Sequence, residues 1–137
     1  QEMNSKNIDF QVRKPKNLPK LYMDKEKMEL VIQNLLENAV KFTPEGGNID
    51  LIVKAGKEEM TIKVKDDGVG IPKKDQKQLF SKFFRARNAQ KMEVEGTGLG
   101  LFIVKSIVEK HKGTIDFESE EGKGTEFIIT VPLKKQE

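Results

Sequence analysis

Three polar side chains able to hold an ion recur along one predicted helix, namely Asn34, Asn38 and Lys41. Their i, i+4, i+7 spacing puts them on one side of an α-helix. Asparagine is a poor residue for a helix interior because its amide competes with the backbone for hydrogen bonds. Two amides and an ammonium suit a site for a hydrated cation and an anionic oxygen. An ordinary solvated face would be equally compatible with this stripe on its own.

A second candidate is the segment Asp66 to Pro72, which reads DDGVGIP. It follows a predicted strand, so its first carboxylate lies at a strand end, where it can accept a hydrogen bond from a ligand amine. Gly68 and Gly70 allow a sharp turn and a close approach of the backbone to a ligand. Many glycine turns follow strands without binding anything, so the segment alone is a weak signal.

A third candidate is the segment Glu95 to Leu101, EGTGLGL, which opens a predicted helix that closes near Gly113. Glycines at a helix start offer free N–H groups and the positive end of the helix dipole to a phosphate. The spacing is GxGxG after a polar segment, whereas the dinucleotide fingerprint requires GxGxxG after a strand. No GxxxxGK[ST] P-loop occurs. The sequence therefore predicts a phosphate site of another kind.

Between these two glycine segments lie an aromatic cluster and two arginines. A short helix is predicted from Lys73 to Phe84, and its apolar face, Leu79, Phe80, Phe83 and Phe84, is expected in the core. Arg85 and Arg87 follow. The aperiodic stretch Ala86 to Glu95 has the length of an active-site lid.

The elements that must position these residues follow from hydrophobic periodicity. A helix is predicted from Asp24, a good N-cap with Met23 and Met28 as a hydrophobic staple, to Pro44. Its apolar face consists of Met28, Val31, Leu35, Ala39 and Phe42, widened by Ile32 and Leu36. Period-two alternation predicts strands at Ile8–Val12, Ile49–Val53, Met60–Val64, Thr114–Phe117 and Phe127–Val131, a short edge strand at Leu21–Met23, and an acidic turn at Glu118–Glu121.

Composition limits the function classes. The chain has 137 residues, enough for one domain with its own core. Basic and acidic residues number 25 and 22 and are interspersed with few aromatics, which argues against a nucleic-acid surface. There are no cysteines, so disulfides and thiolate metal sites are excluded. A cytoplasmic domain is expected, from a parent protein expected to be membrane-anchored.

Taken in order, the motifs NLLENAVKF, DDGVGIP, LFSKFFR, GTGLGLFIVKSIVEKHKG and EGKGTEFIITVP resemble the ATP-binding catalytic domain of bacterial sensor histidine kinases. That domain belongs to a superfamily shared with DNA gyrase, Hsp90 and MutL. The resemblance covers about Ile8 to Leu133. It implies an α+β fold, a two-layer sandwich of a mixed, mostly antiparallel sheet packed against three helices, with ATP between the helical layer and the lid.

The resemblance also implies a role for each candidate residue. Asn38 would bind Mg²⁺, Lys41 would reach a phosphate, and Asn34 would complete the polar side of the site on the same helix. Asp66 would accept a hydrogen bond from the adenine amine. The remaining implied nucleotide contacts are Phe42, Gly68, Gly70, Ile71, Arg85 at the terminal phosphate, Gly96, Thr97, Gly98, Leu99, Gly100 and Leu101 in the lid hinge, and Thr125 near the adenine.

The reaction implied is phosphoryl transfer rather than hydrolysis. Hydrolysing relatives carry a glutamate base one turn before the metal asparagine, and here that position is Asn34, which cannot act as a base. The family's acceptor is a histidine on a separate dimerisation domain. The single histidine, His111, is expected to interact with its helix C-terminus instead.

The chain is therefore interpreted as a catalytic domain at residues 8–133, with a frayed linker remnant at residues 1–7 and a polar tail at residues 134–137. Its expected partners are ATP, the phosphoacceptor domain of the same parent and, indirectly, a response regulator. The fragment is expected to be a monomer and the parent a homodimer. Two alternatives stay open: a serine kinase or ATPase of the same superfamily, and a non-catalytic module that senses nucleotide.

Overall fold

The structure is a computed structural model, and it describes residues 7–14, 25–80 and 100–132. Its elements in chain order are β1 (Asp9–Arg13), α1 (Lys25–Phe42), β2 (Asn48–Ala55), β3 (Glu59–Asp66), a 3-10 helix (Lys73–Gln78), α2 (Gly100–Lys110), β4 (Thr114–Glu120) and β5 (Gly124–Pro132).

The five strands form one mixed sheet in the order β1-β2-β3-β5-β4. β1 pairs in parallel with β2, and every other pairing is antiparallel. Successive side chains alternate between the two faces, so Val64 on β3, Phe127 on β5 and Phe117 on β4 share one row of the inner face. The inner face is apolar and carries the core, while the outer face carries most of the lysines and glutamates of the strands.

Both α-helices pack on the inner face of the sheet. The α1 stripe predicted from periodicity is buried at Met28, Val31, Leu35 and Ala39, whereas Phe42 is only half-buried. α2 contributes Val104, Ile107 and Val108 to the same core. Thr43 is fully buried directly after α1, and its hydroxyl donates to the Ala39 carbonyl at 2.6 Å, which satisfies one of the last helical acceptors.

An aromatic cluster closes the core beneath the 3-10 helix. Phe80 meets Phe117 and Phe127 edge to face, with ring centroids 6.0 and 6.4 Å apart. The Lys105 ammonium of α2 lies 5.3 Å from the Phe80 ring centroid. The core role predicted for Phe80 is therefore confirmed. Phe83 and Phe84, predicted to join it, lie outside the described residues.

Two element predictions were wrong. The helix predicted over Lys73 to Phe84 is a 3-10 helix that ends at Gln78. The acidic turn predicted at Glu118–Glu121 is strand up to Glu120, and Gly124 and Thr125 already belong to β5. The charge of the glutamates suggested a loop. In the structure they lie on the exposed face of the strand, while Ser119 points inward.

Several predicted features lie outside the described residues. These are the Asp24 cap with Met23, the edge strand at Leu21–Met23, the lid at Ala86–Glu95 and both chain ends. Among residues 7–14, 25–80 and 100–132, no helix is long and apolar enough to cross a bilayer.

The C-terminus of α2 ends in a Schellman motif that lacks the usual glycine. Gly113 N–H donates to the Val108 carbonyl at 2.9 Å and Lys112 N–H to the Glu109 carbonyl at 3.0 Å. Lys112 therefore takes a left-handed conformation, with φ of +62°. Since a side chain is strained there, Lys112→Gly should raise the free energy of unfolding by about 0.5–1 kcal/mol in urea titrations.

The matched control for that prediction is Lys110→Gly, two residues earlier inside the last turn of α2. It should lower the free energy of unfolding by about 1 kcal/mol, the usual cost of glycine in a helix. Equal destabilisation by the two variants would show that the left-handed position carries no strain.

Candidate nucleotide site

Asp66 is a buried carboxyl at the last position of β3, with 6% of its surface exposed. The Gly68 N–H donates to its Oδ1 at 2.9 Å. Burial raises the pKa of Asp66 to about 6, and the neighbouring charge of Asp67 also raises it. Hydrogen bonds from the Gly68 and Thr125 backbone act in the opposite direction but do not cancel the effect of burial. These two backbone hydrogen bonds fix the orientation of the buried Asp66 carboxyl, so that it can accept a hydrogen bond from a ligand in one direction.

The loop after Asp66 is anchored on both sides. Asp67 accepts hydrogen bonds from the Asn48 backbone N–H and side-chain amide, each at 2.8 Å. Partial burial opposes ionisation of Asp67, but these bonds outweigh it and its pKa is lowered. Val69 N–H donates to the Phe42 carbonyl at 3.0 Å. The loop is thereby attached to the start of β2 and to the end of α1.

Two glycines in this loop are required by close backbone contacts. A Cβ at Gly68 would overlap the Phe42 carbonyl oxygen, so the loop could not lie against α1. Gly70 has φ of +72°, and a Cβ there would overlap the Glu120 carbonyl at the end of β4. Gly68 and Gly70 therefore let this loop pack against both neighbouring elements, and their predicted contact with a ligand stays a prediction.

A hydroxyl pair lies behind the loop, on the strands next to Asp66. Thr125 is the cross-strand partner of Asp66 on β5 and of Ser119 on β4. The two hydroxyl oxygens of Ser119 and Thr125 are 2.8 Å apart, and the Ile71 N–H donates to Ser119 Oγ at 2.7 Å. Gln76 adds hydrogen bonds from its Nε2 to the carbonyls of Ile71 and Ser119, at 3.0 and 3.3 Å.

Ser119, Gln76 and Asn48 were missed by sequence reasoning. Strict alternation through β4 would have placed Ser119 on the inner face with Phe117, two positions before it. Nothing in the sequence pattern pointed to Gln76 or Asn48, because their hydrogen bonds join segments distant in the chain.

The polar stripe of α1 exists as predicted, and Asn34, Asn38 and Lys41 are all half-buried. Asn34 Nδ2 donates to the Leu30 carbonyl at 2.9 Å, and Oδ1 of the same amide lies beside the start of α2. A Cβ built at Gly100, the first residue of α2, would lie 3.3 Å from that oxygen. The stripe therefore reaches the N-terminus of α2, where free backbone N–H groups favour an anion.

The stripe and the Asp66 loop lie along the same helix. Phe42, which receives the Val69 hydrogen bond, is at the C-terminal end of α1, and Asn34 lies eight residues earlier. Eight residues of helix span about 12 Å. The arrangement suits an elongated ligand, with an amine-bearing group at the Asp66 end and an anionic chain near Asn34 and Gly100.

The oxygen donors on α1 fit a magnesium ion bound together with phosphates. Mg²⁺ prefers oxygen ligands, keeps several waters and commonly takes only one or two ligands from the protein. Asn38 is half-buried, and its amide has no hydrogen-bond partner within the described ranges, so its oxygen remains available there. In the same ranges no group of three or more histidine or acidic side chains is placed to hold a metal by itself. A shared metal–phosphate site is the kind that these residues fit.

The remaining predicted site residues divide into two groups. Ile71 is buried, and Leu101 and Phe42 are half-buried next to the features just described. Arg85, Gly96, Thr97, Gly98 and Leu99 lie outside the described residues.

Comparison with known protein families assigns the chain to one of them. The model of the histidine kinase-, DNA gyrase B-, and HSP90-like ATPases matches residues 23–135, which include every element from α1 to β5. The chain belongs to this ATPase family. The resemblance drawn from the ordered motifs is confirmed, and so is the α+β fold with a mixed sheet packed against helices.

The chain is similar to curated sensor kinases. The chain is 42% identical over 128 residues to the sensor histidine kinase WalK of Bacillus subtilis, covering 89% of this chain and 21% of WalK. It is 39% identical to the adaptive-response sensory kinase SasA of a Synechococcus species, covering 96% of this chain and 34% of SasA. The chain thus spans about a fifth of WalK and about a third of SasA.

Solved structures of the family share the fold. The mycobacterial sensor histidine kinase MprB is 28% identical with a TM-score of 0.82, covering 96% of this chain and 88% of the MprB chain. Full-length ShkA in complex with AMPPNP is 27% identical with a TM-score of 0.81, covering 98% of this chain and 27% of the ShkA chain. The chain is accordingly a histidine-kinase-type ATPase domain.

Proposed function

We propose that this chain binds Mg-ATP and donates the γ-phosphoryl group to a histidine on a separate dimerisation and phosphoacceptor domain of its parent protein. The observation that carries the proposal is that the Asp66 loop lies at the C-terminal end of α1, while Asn34 lies about 12 Å earlier on the same helix, beside the start of α2. The kinase relatives and the AMPPNP complex of ShkA support it. A response regulator would then receive the phosphoryl group from that histidine.

At the base end, Asp66 would accept a hydrogen bond from the adenine amine. Its fixed carboxyl favours an amine over the carbonyl oxygen that guanine carries at the same position, because two acceptors repel. Gly68, Gly70 and Ile71 would line the base, with Phe42 and Thr125 beside them. The buried position of Asp66 supports this role, since a hydrogen bond there is shielded from competing water.

At the phosphate end, Asn38 would hold the metal and Lys41 would bind a phosphate oxygen. When bound, Mg²⁺ would neutralise charge on the triphosphate. Gly100 and Leu101 at the start of α2 would donate backbone N–H groups, and Asn34 would complete the polar side of the site. Arg85 would stabilise charge developing on the transferred group, and Gly96, Thr97, Gly98 and Leu99 would form the hinge of the lid and contact the nucleotide. These residues bind and orient the triphosphate, so catalysis here would be mostly positioning.

Hydrolysis should be slow because α1 offers no base next to the γ-phosphate. Asn34 occupies the position of the glutamate base of hydrolysing relatives, and its Nδ2 is engaged with the Leu30 carbonyl. We expect the native domain to release phosphate at a barely detectable rate and Asn34→Glu to raise that rate about tenfold or more, the low end for general-base catalysis. Malachite-green phosphate release measures both. The control is Gln33→Glu, which adds the same charge one position away on the exposed side of α1.

Rapid hydrolysis by the native chain would contradict that prediction and favour the ATPase alternative. An Asn34→Glu variant that binds ATP but hydrolyses it no faster would show that the missing base does not limit hydrolysis.

His111 is poorly placed to accept the phosphoryl group. Its Nδ1–H donates to the Ile107 carbonyl at 2.9 Å, at the C-terminal end of α2. Eleven residues separate it from Gly100, about 16 Å along the helix axis. With the phosphate end of the site proposed at Gly100, we place the acceptor histidine on another domain.

The first test is calorimetric titration with ATP, ADP and GTP, each with and without Mg²⁺. Adenine-selective binding that magnesium strengthens is expected. The phosphoacceptor domain of the parent is then added with [γ-³²P]ATP, and label should appear on that domain and not on His111. ATP binding without transfer would favour the nucleotide-sensing alternative, and absence of ATP binding would overturn the proposal.

A further inference from the structure

We propose that Ser119 is a positioning residue that turns the Thr125 hydroxyl into a hydrogen-bond acceptor beside Asp66. This inference rests on the proposed adenine-binding function and deepens it. Asp66 by itself presents one acceptor to the base. With Thr125 held by Ser119, the site would present two adjacent acceptors, which reject a base bearing a carbonyl oxygen in place of the amine.

The placement of the three residues comes from the strand register. Asp66 on β3, Thr125 on β5 and Ser119 on β4 lie in one row of the inner face. Directly opposed side chains on neighbouring antiparallel strands are about 4.5–5.5 Å apart at Cβ. Asp66 and Thr125 are both buried, with 6% and 8% of their surfaces exposed. The Thr125 hydroxyl is therefore next to the carboxyl proposed to read the base.

The direction of the Thr125 hydrogen follows from the contacts of Ser119. Ser119 Oγ lies 2.7 Å from the Ile71 nitrogen, 3.1 Å from the Gly124 carbonyl oxygen and 2.8 Å from Thr125 Oγ1. The Ile71 N–H can only donate and the Gly124 carbonyl can only accept, so the single Ser119 hydrogen goes to Gly124. Thr125 must then donate to Ser119 if all three contacts are hydrogen bonds.

A donor committed to Ser119 leaves Thr125 Oγ1 with only lone pairs for any other partner. The same Ser119 Oγ also receives the Ile71 N–H, so the base-binding loop and the Thr125 hydroxyl are held by one atom. Without Ser119, the Thr125 hydroxyl could rotate and donate to a carbonyl oxygen. Discrimination against a 6-oxo purine would then fall even where ATP still binds.

The test compares ATP with inosine triphosphate, which replaces the 6-amine by a carbonyl oxygen and, in that form, carries a hydrogen on N1 where adenine has a lone pair. Kd values for both are measured by calorimetry on the native chain and on Ser119→Ala. We expect the selectivity for ATP to fall about fivefold or more in Ser119→Ala, the size of one neutral hydrogen bond, chiefly through tighter binding of inosine triphosphate. Ser119→Thr keeps the hydroxyl and should restore the native ratio.

Thr125→Val provides a second, independent test of the inference. It removes the acceptor and should lower the selectivity through weaker ATP binding, and adding Ser119→Ala to it should change the ratio no further. Thr130→Val, on the outer face of the same strand, is the matched control and should keep the native ratio.

The outcomes separate this inference from the proposed function. A native chain that binds neither nucleotide, or both equally, overturns the adenine-binding proposal itself. A selective native chain whose Ser119→Ala variant keeps the same ratio, or loses both affinities equally, overturns the role of Ser119 alone. Should circular dichroism show Ser119→Ala unfolded, Thr125→Val decides: an unchanged ratio overturns the inference and a reduced ratio supports it.

Discussion

Asp66→Asn is expected to weaken ATP binding about ten- to a hundredfold, the usual worth of a buried hydrogen bond to a charged group. The asparagine keeps the size of the side chain but loses the charge, and one of the two acceptor oxygens is replaced by an NH₂ group that can only donate. GTP affinity should change little, so adenine selectivity should collapse. Calorimetry with ATP and GTP measures both effects.

The matched control is Asp67→Asn, one position along the same loop, where the carboxylate faces Asn48 rather than the inner face. It should lower stability while leaving the ATP-to-GTP ratio unchanged. Equal loss of selectivity in both variants would mean that loop disruption, and not the Asp66 carboxylate, sets base preference.

The raised pKa of Asp66 gives the same variant a pH signature in stability. Its pKa is about 6 in the folded chain against an ordinary 3.8. Between these two pH values the folded chain keeps a proton on Asp66 that the unfolded chain has already released, so protonation of Asp66 stabilises the folded state. That contribution to stability is fully present below pH 3.8 and is lost as pH rises through 6. Relative to Asp66→Asn, the native chain should lose up to about 3 kcal/mol between pH 3.5 and pH 7.5.

Urea unfolding of both proteins at these two pH values checks the difference. A constant gap between native chain and variant would show that Asp66 titrates at its ordinary pKa, and the fixed, desolvated carboxyl argued above would be wrong.

Asn38→Ala is expected to remove most of the dependence of ATP binding on magnesium. If its amide oxygen is the protein ligand of the ion, its loss should cost at least the ten- to hundredfold typical of residues that support a bound metal. Affinity without magnesium should remain near the native value, because the phosphate contacts proposed for Lys41 and the start of α2 would be unaffected. Titrations with ATP in Mg²⁺ and in EDTA measure the two affinities.

Gln33→Ala is the control for Asn38→Ala, since it removes an amide from the exposed side of the same helix, where Gln33 bonds Glu37. It should leave both affinities unchanged. Full magnesium dependence in Asn38→Ala would remove Asn38 as the metal ligand and leave the polar stripe as a solvated face.

Much of the fold could be predicted because local patterns and burial agree. The stripe from Met28 to Ala39 repeats at helical spacing and is buried as that spacing requires. The alternation through Met60, Ile62 and Val64 fixes which face of β3 enters the core. The 3-10 helix at Lys73–Gln78 was not predicted, because apolar residues at Leu79 and Phe80 indicate that the segment packs on the core but do not distinguish a 3-10 helix from an α-helix.

The sequence by itself determined the family, through the order of its motifs. It also determined which residue types are available at the base and phosphate ends of the proposed site. Spacing along one helix was enough to put Asn34, Asn38 and Lys41 together, because helical geometry is local. Only the tertiary structure decided that Ser119 and Thr125 stand behind Asp66, and that Asn34 meets the start of α2. Those contacts depend on strand register and on helix packing, which join residues far apart in the chain and leave no local trace in the sequence.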